Sequence, residues 1–209
     1  MRRHHNGGRR GAHTAAATAC VAAGTVLLAL SLPSPEASPP SRPAARAPAE
    51  RSVPVTARAP LPASRPLRLG VPGIDLRMAV EPVGLTRDGS IGLPEDAQHA
   101  GWYTGSPTPG QNGNAVLVGH VDSATGPAAF YGLSALRTGD AIVVERLDGR
   151  PAHYTVSSLT VHPKDGFPAD QVYRPTLTPR LTLITCADWD PDDRTYRSNL
   201  VLTAVLSRG

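Results

Sequence analysis

Leu181–Cys186, LTLITC, is the stretch whose reading decides the fold. Apolar and polar residues alternate, Leu, Ile and Thr predominate, and the run reads as a β-strand that stops on a cysteine. Cys186 is the only cysteine outside an N-terminal apolar run that holds Cys20. Two cysteines so placed give no disulfide framework, and there is no CxxC or histidine-rich spacing for structural zinc. A lone thiol at a strand end is either a core filler or a nucleophile. Such a thiol also suits a domain working outside the cytoplasm, since it has no partner in its own domain to oxidise with.

Further strands are expected around it. Leu67–Leu85 reads as one or two, and Ala115–His120, Ala141–Leu147, Ala152–Val161 and Asn199–Leu206 are four more. All are short, rich in Val, Ile, Leu and Thr, and bounded by turn residues. Asp148-Gly149 marks a hairpin turn. Only Ala128–Leu136 suits a helix, and a short one. Many short strands with little helix point to an all-β barrel or sandwich.

The chain of 209 residues carries a net charge of +4, and this total is unevenly spread. Residues 1–66 hold nine arginines against Glu36 and Glu50, a balance of +7. Residues 67–209 hold twelve Lys and Arg against fifteen Asp and Glu, a balance of −3. The basic character belongs to the tail, so the folded part has no nucleic-acid footprint. Four domains of behaviour follow. Residues 1–11 form a basic cytoplasmic N-terminus. Residues 12–32 are free of Lys, Arg, Asp and Glu, and as a helix span about 30 Å, the thickness of the hydrocarbon core. They read as a transmembrane signal anchor, with a cleaved signal peptide as the rival reading. Residues 33–66 hold ten of the 22 prolines and read as a disordered, extended linker. Residues 67–209, about 140, suit one domain with its own core. The expected location is the cell membrane, single-pass, with this domain outside.

The candidates for chemistry are few. Of His99, His120, His153 and His162, His120 ends an apolar strand next to Gly119, a placement that suits a catalytic residue at a barrel rim. His153 lies mid-strand, and His99 and His162 lie in loop-like settings. Arg194 and Arg197 fall between the cysteine strand and the last strand, and Arg197 returns beside Cys186 if those two strands pair. Solvated surface arginines are the plainer reading. Asp188, Asp190, Asp192 and Asp193 lack the glycine and the terminal glutamate of a calcium loop, and read as a solvated acidic loop. No cofactor or metal is expected.

Gly119-His120-Val121-Asp122, Leu183-Ile184-Thr185-Cys186 and Tyr196-Arg197-Ser198-Asn199 resemble the three signature segments of the sortases. The cysteine motif of that family, Thr-Leu-x-Thr-Cys, is met at Thr182, Leu183, Thr185 and Cys186. PVGLTRDG (82–89), AGWYTGSPTPGQNGNAVLVGHVDS (100–123) and GPAAFYGLSALRTGD (126–140) are similar to the actinobacterial class F branch. The resemblance covers residues 67–206 and has His, Cys and Arg in the family's order. It implies an eight-stranded β-barrel with short helices and a membrane-anchored cysteine transpeptidase, with Cys186 as nucleophile, His120 as acid and base, and Arg197 as the positive partner. Arg194 is the alternative for that last role. The implied partners are sorting-signal peptides of surface proteins, of the Leu-Pro-x-Thr-Gly kind, and an amine of a cell-wall precursor. Two other readings compete. A cysteine L,D-transpeptidase normally carries a close Ser-His-Gly-Cys segment, which is absent. A tethered binding domain would use Cys186 only as core.

Overall fold

The computed structural model describes residues 59–208. The expected cytoplasmic N-terminus, signal anchor and most of the expected linker lie outside them. Among the described residues no helix is long and apolar enough to cross a membrane.

Among the described residues there are ten strands: β1 (Pro66–Val71), β2 (Leu76–Val83), β3 (Ala100–Tyr103), β4 (Gly113–Val118), β5 (Asp122–Ser123), β6 (Gly126–Pro127), β7 (Ala141–Arg146), β8 (Ala152–Pro163), β9 (Pro179–Asp190) and β10 (Thr195–Leu206). A four-residue helix, α1 (Ala169–Val172), precedes β9, and a 3-10 turn covers Tyr131–Ala135 inside the expected short helix. Eight strands close a barrel in the order β1-β2-β3-β4-β9-β10-β8-β7, with β7 returning to β1. β5 and β6 form a separate two-residue ladder. Closure leaves no free sheet edge in the barrel, which is how an all-β domain of this size hides its backbone polar groups.

Each expected strand is present. The run from Leu67 divides at Pro72–Ile74, where Asp75 adopts a left-handed conformation with φ 48° and turns the chain back antiparallel. Asp148-Gly149 joins β7 to β8, with Gly149 at φ 72° and its N–H donating to the Arg146 carbonyl at 3.0 Å. β3 was not expected: its four residues offer too little periodicity to be seen.

The pattern of LTLITC has a different origin from the half-buried strand it resembles. Leu181 and Leu183 enter the barrel core, but Thr182 and Ile184 on the other face are buried as well. The outer face carries a second apolar cluster of Val116, Val118, Val172, Ile184 and Val201. This cluster lies under the segment that joins β8 to β9. Asn114 anchors that segment: its Nδ2 donates to the Val172 carbonyl at 2.9 Å, and its Oδ1 accepts from Thr182 Oγ1 at 2.7 Å, both bonds buried.

The barrel also engages the chain just ahead of β1. Leu61 is buried and its N–H donates to the Gly110 carbonyl at 2.7 Å. Arg146, on β7, is buried and donates to the Pro62 carbonyl at 2.6 Å and to Asp148 at 2.9 Å. Residues 61–65, at the end of the Pro-rich stretch, thus lie packed on the barrel.

Candidate active site

β4 and β9 run parallel with a constant offset of 66 residues, from Gly113↔Pro179 to Val118↔Ile184. The Gly119 N–H continues the ladder by donating to the Ile184 carbonyl at 3.2 Å, and Thr185 Oγ1 returns a bond of 2.9 Å to the Gly119 carbonyl. Two residues past Val118 on one strand and two past Ile184 on the other lie His120 and Cys186. β4 ends at Val118, whereas β9 runs on to Asp190, so the strand does not stop on Cys186 as expected; His120, just past the end of β4, and Cys186, within β9, each lie one residue beyond the Gly119–Thr185 contact. Gly119 is required here: a Cβ would stand 2.8 Å from the ring of Phe130, which is fully buried.

His120 is half-buried, and its Nε2 lies 3.1 Å from the Pro94 carbonyl. A carbonyl can only accept, so Nε2 carries the proton and Nδ1 is the nitrogen left for proton exchange. Pro94 belongs to the long β2–β3 connection, which brings Ile91 and Leu93 to the same place. Cys186 is half-buried and free. On its sheet face its cross-strand partner is Asn199, followed along β10 by Val201 opposite Ile184. Alternation puts Arg197 next on that face in the other direction. The hairpin thus returns Arg197 to the neighbourhood of Cys186, whereas Arg194 sits in the β9–β10 turn with φ 49°.

The guanidinium of Arg197 points to the turn. It pairs with Asp190 and, at 3.1 Å, with Asp193. Asp190 departs from the solvated loop expected for the acidic run. It is nearly buried, and its carboxylate accepts from the N–H groups of Asp192 at 2.8 Å and Asp193 at 3.2 Å. Those N–H bonds, and the charge of Arg197 after them, hold the Asp190 carboxyl below its ordinary range against the opposing effect of burial. The run therefore caps a turn. Among the described residues no three His, Cys, Asp or Glu side chains gather into a metal site.

Cys186 lines two cavities. One, of about 460 Å³, lies over the outer apolar cluster and is bounded by Ile91, Leu93, Val118, Phe167, Ile184 and Asn199, with Lys164 at its edge. The other, of about 400 Å³, opens at the barrel rim between Val121, Tyr131, Asp188 and Tyr196. Cys186 thus borders both an outer trough and an opening at the barrel rim, each lined mainly by apolar side chains.

Of the other described histidines, His162 comes nearest the thiol by register, paired with Asn199, which itself lies opposite Cys186. His99 stands between Glu81 (3.2 Å) and Asp96 (3.5 Å) and braces the β2–β3 connection. His162 meets Phe167 edge-on with centroids 6.0 Å apart. His153 is a half-exposed β8 residue opposite Val143. Sequence reasoning missed the contributions of Thr185, Asn199, Lys164 and Pro94. Thr185 and Asn199 stand inside the quoted motifs, but nothing local distinguishes their tasks.

A family model described as the sortase domain matches residues 69–207. No curated protein is similar enough to match the chain. Among solved structures, sortase A of Listeria monocytogenes is 21% identical, over 70% of this chain and 88% of that one, with a TM-score of 0.53. A sortase D5 transpeptidase of Clostridium perfringens is 20% identical over 69% and 79%, with a TM-score of 0.52. Sortase C-1 of Actinomyces oris is 22% identical over 68% and 73%, also at 0.52. At these identities the structures speak for the fold.

Proposed function

Because the chain belongs to the sortase family of cysteine transpeptidases, we propose that Cys186, His120 and Arg197 are its catalytic residues and that it acts on surface proteins bearing a Leu-Pro-x-Thr-Gly-like sorting signal. The observation that carries this reading is the 66-residue offset between β4 and β9, continued by the Thr185–Gly119 bond, with His120 and Cys186 each one residue beyond that contact and Cys186 lining an apolar trough.

The chemistry follows from the groups present. A free thiol has a pKa near 8.5, so attack needs a nearby cation to stabilise the thiolate. His120 as imidazolium supplies one. The Cys186 sulfur attacks the scissile carbonyl and forms a tetrahedral oxyanion, which Arg197 and a neighbouring backbone N–H stabilise once the guanidinium swings from Asp190 and Asp193. The oxyanion collapses, the C–N bond breaks, and Nδ1 of His120 gives its proton to the leaving amine. An incoming amine then attacks the thioacyl carbonyl, His120 takes a proton from it, and the thiolate departs. Water in place of the amine gives hydrolysis.

The wider setting belongs to the same proposal. The blocks at 82–89, 100–123 and 126–140 support a class F assignment. The uncharged run 12–32 behind four arginines supports a single-pass signal anchor, with the 33–66 segment as a spacer and the acceptor amine in the cell wall.

The test is turnover of a fluorogenic Leu-Pro-x-Thr-Gly-type peptide with and without an added amine. Cys186→Ala is expected to abolish it. His120→Ala and Arg197→Ala are each expected to lower it by at least about 10². An active Cys186→Ala would end the reading, and a dead Arg194→Ala beside a wild-type Arg197→Ala would move the cation to Arg194.

A further inference from the structure

A second link joins the strands that carry these residues, on the opposite side of the thiol from the apolar trough. The Tyr196 hydroxyl donates a hydrogen bond to Asp122 Oδ2, across 74 residues of chain. Asp122 is two residues after His120, and Tyr196 is the residue before Arg197. Tyr196 and Val121 both line the rim cavity that reaches Cys186.

Both partners are held in place independently. Asp122 opens β5, which pairs with β6, and the His120 carbonyl accepts from the Phe130 N–H at 2.9 Å. The Tyr196 ring lies against Trp189, its cross-strand partner, with centroids 5.0 Å apart and planes at 60°. Burial first, then the Asp122 bond and charge, push the Tyr196 phenol up to about 12, and a charge on Cys186 adds to the same push. The phenol therefore remains a donor at neutral pH, and it shares the rim cavity with Cys186.

We propose that Tyr196 and Asp122 are a pair of positioning residues, whose hydrogen bond fixes the His120 segment against the Arg197 strand around Cys186. The proposal rests on the catalytic assignment above. Each element has a separate anchor at its far side. His120 is tied to Pro94 through Nε2, and Arg197 to the Asp190 turn. Neither anchor fixes the two elements relative to each other. The β4–β9 ladder ends before His120, and β10 pairs as a strand with β9 and β8 but not with the His120 segment. Thr185 ties the residue before His120 to β9, and among the described hydrogen bonds Tyr196–Asp122 is the side-chain link between the chain just after His120 and β10 itself. Transfer catalysis is sensitive to sub-ångström placement, so loss of the link acts on the rate of the bound complex rather than on peptide binding in the trough.

The test is a double-mutant cycle on the full-length chain, with the fluorogenic peptide and a saturating amine. Tyr196→Phe keeps the ring on Trp189 and removes only the hydroxyl. Asp122→Ala removes the acceptor. Each is expected to lower kcat about tenfold with KM within about twofold, and the double variant is expected to lose about tenfold as well, not about a hundredfold. Asp122→Asn, whose amide oxygen still accepts from the phenol, is expected to recover to within about threefold of wild type. A wild-type kcat for Tyr196→Phe, multiplied losses in the double variant, or an Asp122→Asn as poor as Asp122→Ala would each overturn the proposal. The last result would mean that the Asp122 charge acts on His120 directly. Turnover by Cys186→Ala in the same assay would instead overturn the catalytic assignment, which separates the two failures.

Discussion

Replacing Thr185 by Val tests whether the junction between the two candidate strands holds the site. Thr185 is 4% exposed, and its hydroxyl donates at 2.9 Å to the carbonyl of Gly119, the residue before His120. Val has nearly the same shape, so packing is conserved and only the donor is lost. The Gly119 carbonyl then stays buried without that bond. A lost net hydrogen bond costs about 1 kcal/mol and an orphaned buried acceptor about 1–3 kcal/mol, partly offset by the more apolar side chain, so a loss of about 1–2 kcal/mol is expected. For a domain of this size that corresponds to a melting point lower by about 3–6 °C. Urea unfolding followed by the fluorescence of Trp102 and Trp189 measures it. A domain starting at about 5 kcal/mol or more remains almost wholly folded after that loss, so any fall in turnover reflects geometry. We expect kcat to fall at least about threefold, since the bond sets where His120 leaves the ladder. A Thr185→Val protein as stable and as active as wild type would show that the hydroxyl merely fills space.

Three further outcomes are expected. Asn114→Ala leaves the Val172 carbonyl and the Thr182 hydroxyl without buried partners, at about 2–4 kcal/mol, and loosens the segment bearing Phe167; peptide KM rises, measured by initial rates. Gly119→Ala drives a methyl into the Phe130 ring and costs about 1–3 kcal/mol, with His120 displaced; a variant of unchanged melting point and turnover would contradict the contact. Asp190, whose carboxyl is held below its ordinary 3.8, contributes stability that is present above about pH 4 and lost as the pH falls through the lowered value. Acid titration of the melting point should therefore show a decline that Asp190→Asn lacks, and equal acid limbs in both proteins would refute the assignment.

Several elements were legible in the sequence because their signals are local. Val, Ile, Leu and Thr runs between turn residues mark strands wherever those strands later pair, so β1, β2, β4 and β7–β10 are all visible in the primary chain. The Asp148-Gly149 turn is equally local, because a positive φ at Gly149 needs no distant partner. The three motif segments singled out Cys186, His120 and Arg197 by residue type and order.

The pairing of those strands was not legible. Nothing in residues 113–118 says that they lie parallel to 179–184, because that contact joins stretches 66 residues apart, and its favourable energy arises only when the whole barrel closes. The same holds for Asp190, which an acidic loop would leave in water but which the turn draws in to cap two N–H groups and meet Arg197. It holds for β3, too short to show a period, and for the Asp122–Tyr196 bond. The sequence by itself determined which segments extend and which residue types are available for chemistry, since propensity and periodicity act within a few residues. Only the tertiary structure decided which side chains meet, since register between distant strands is a property of the closed sheet.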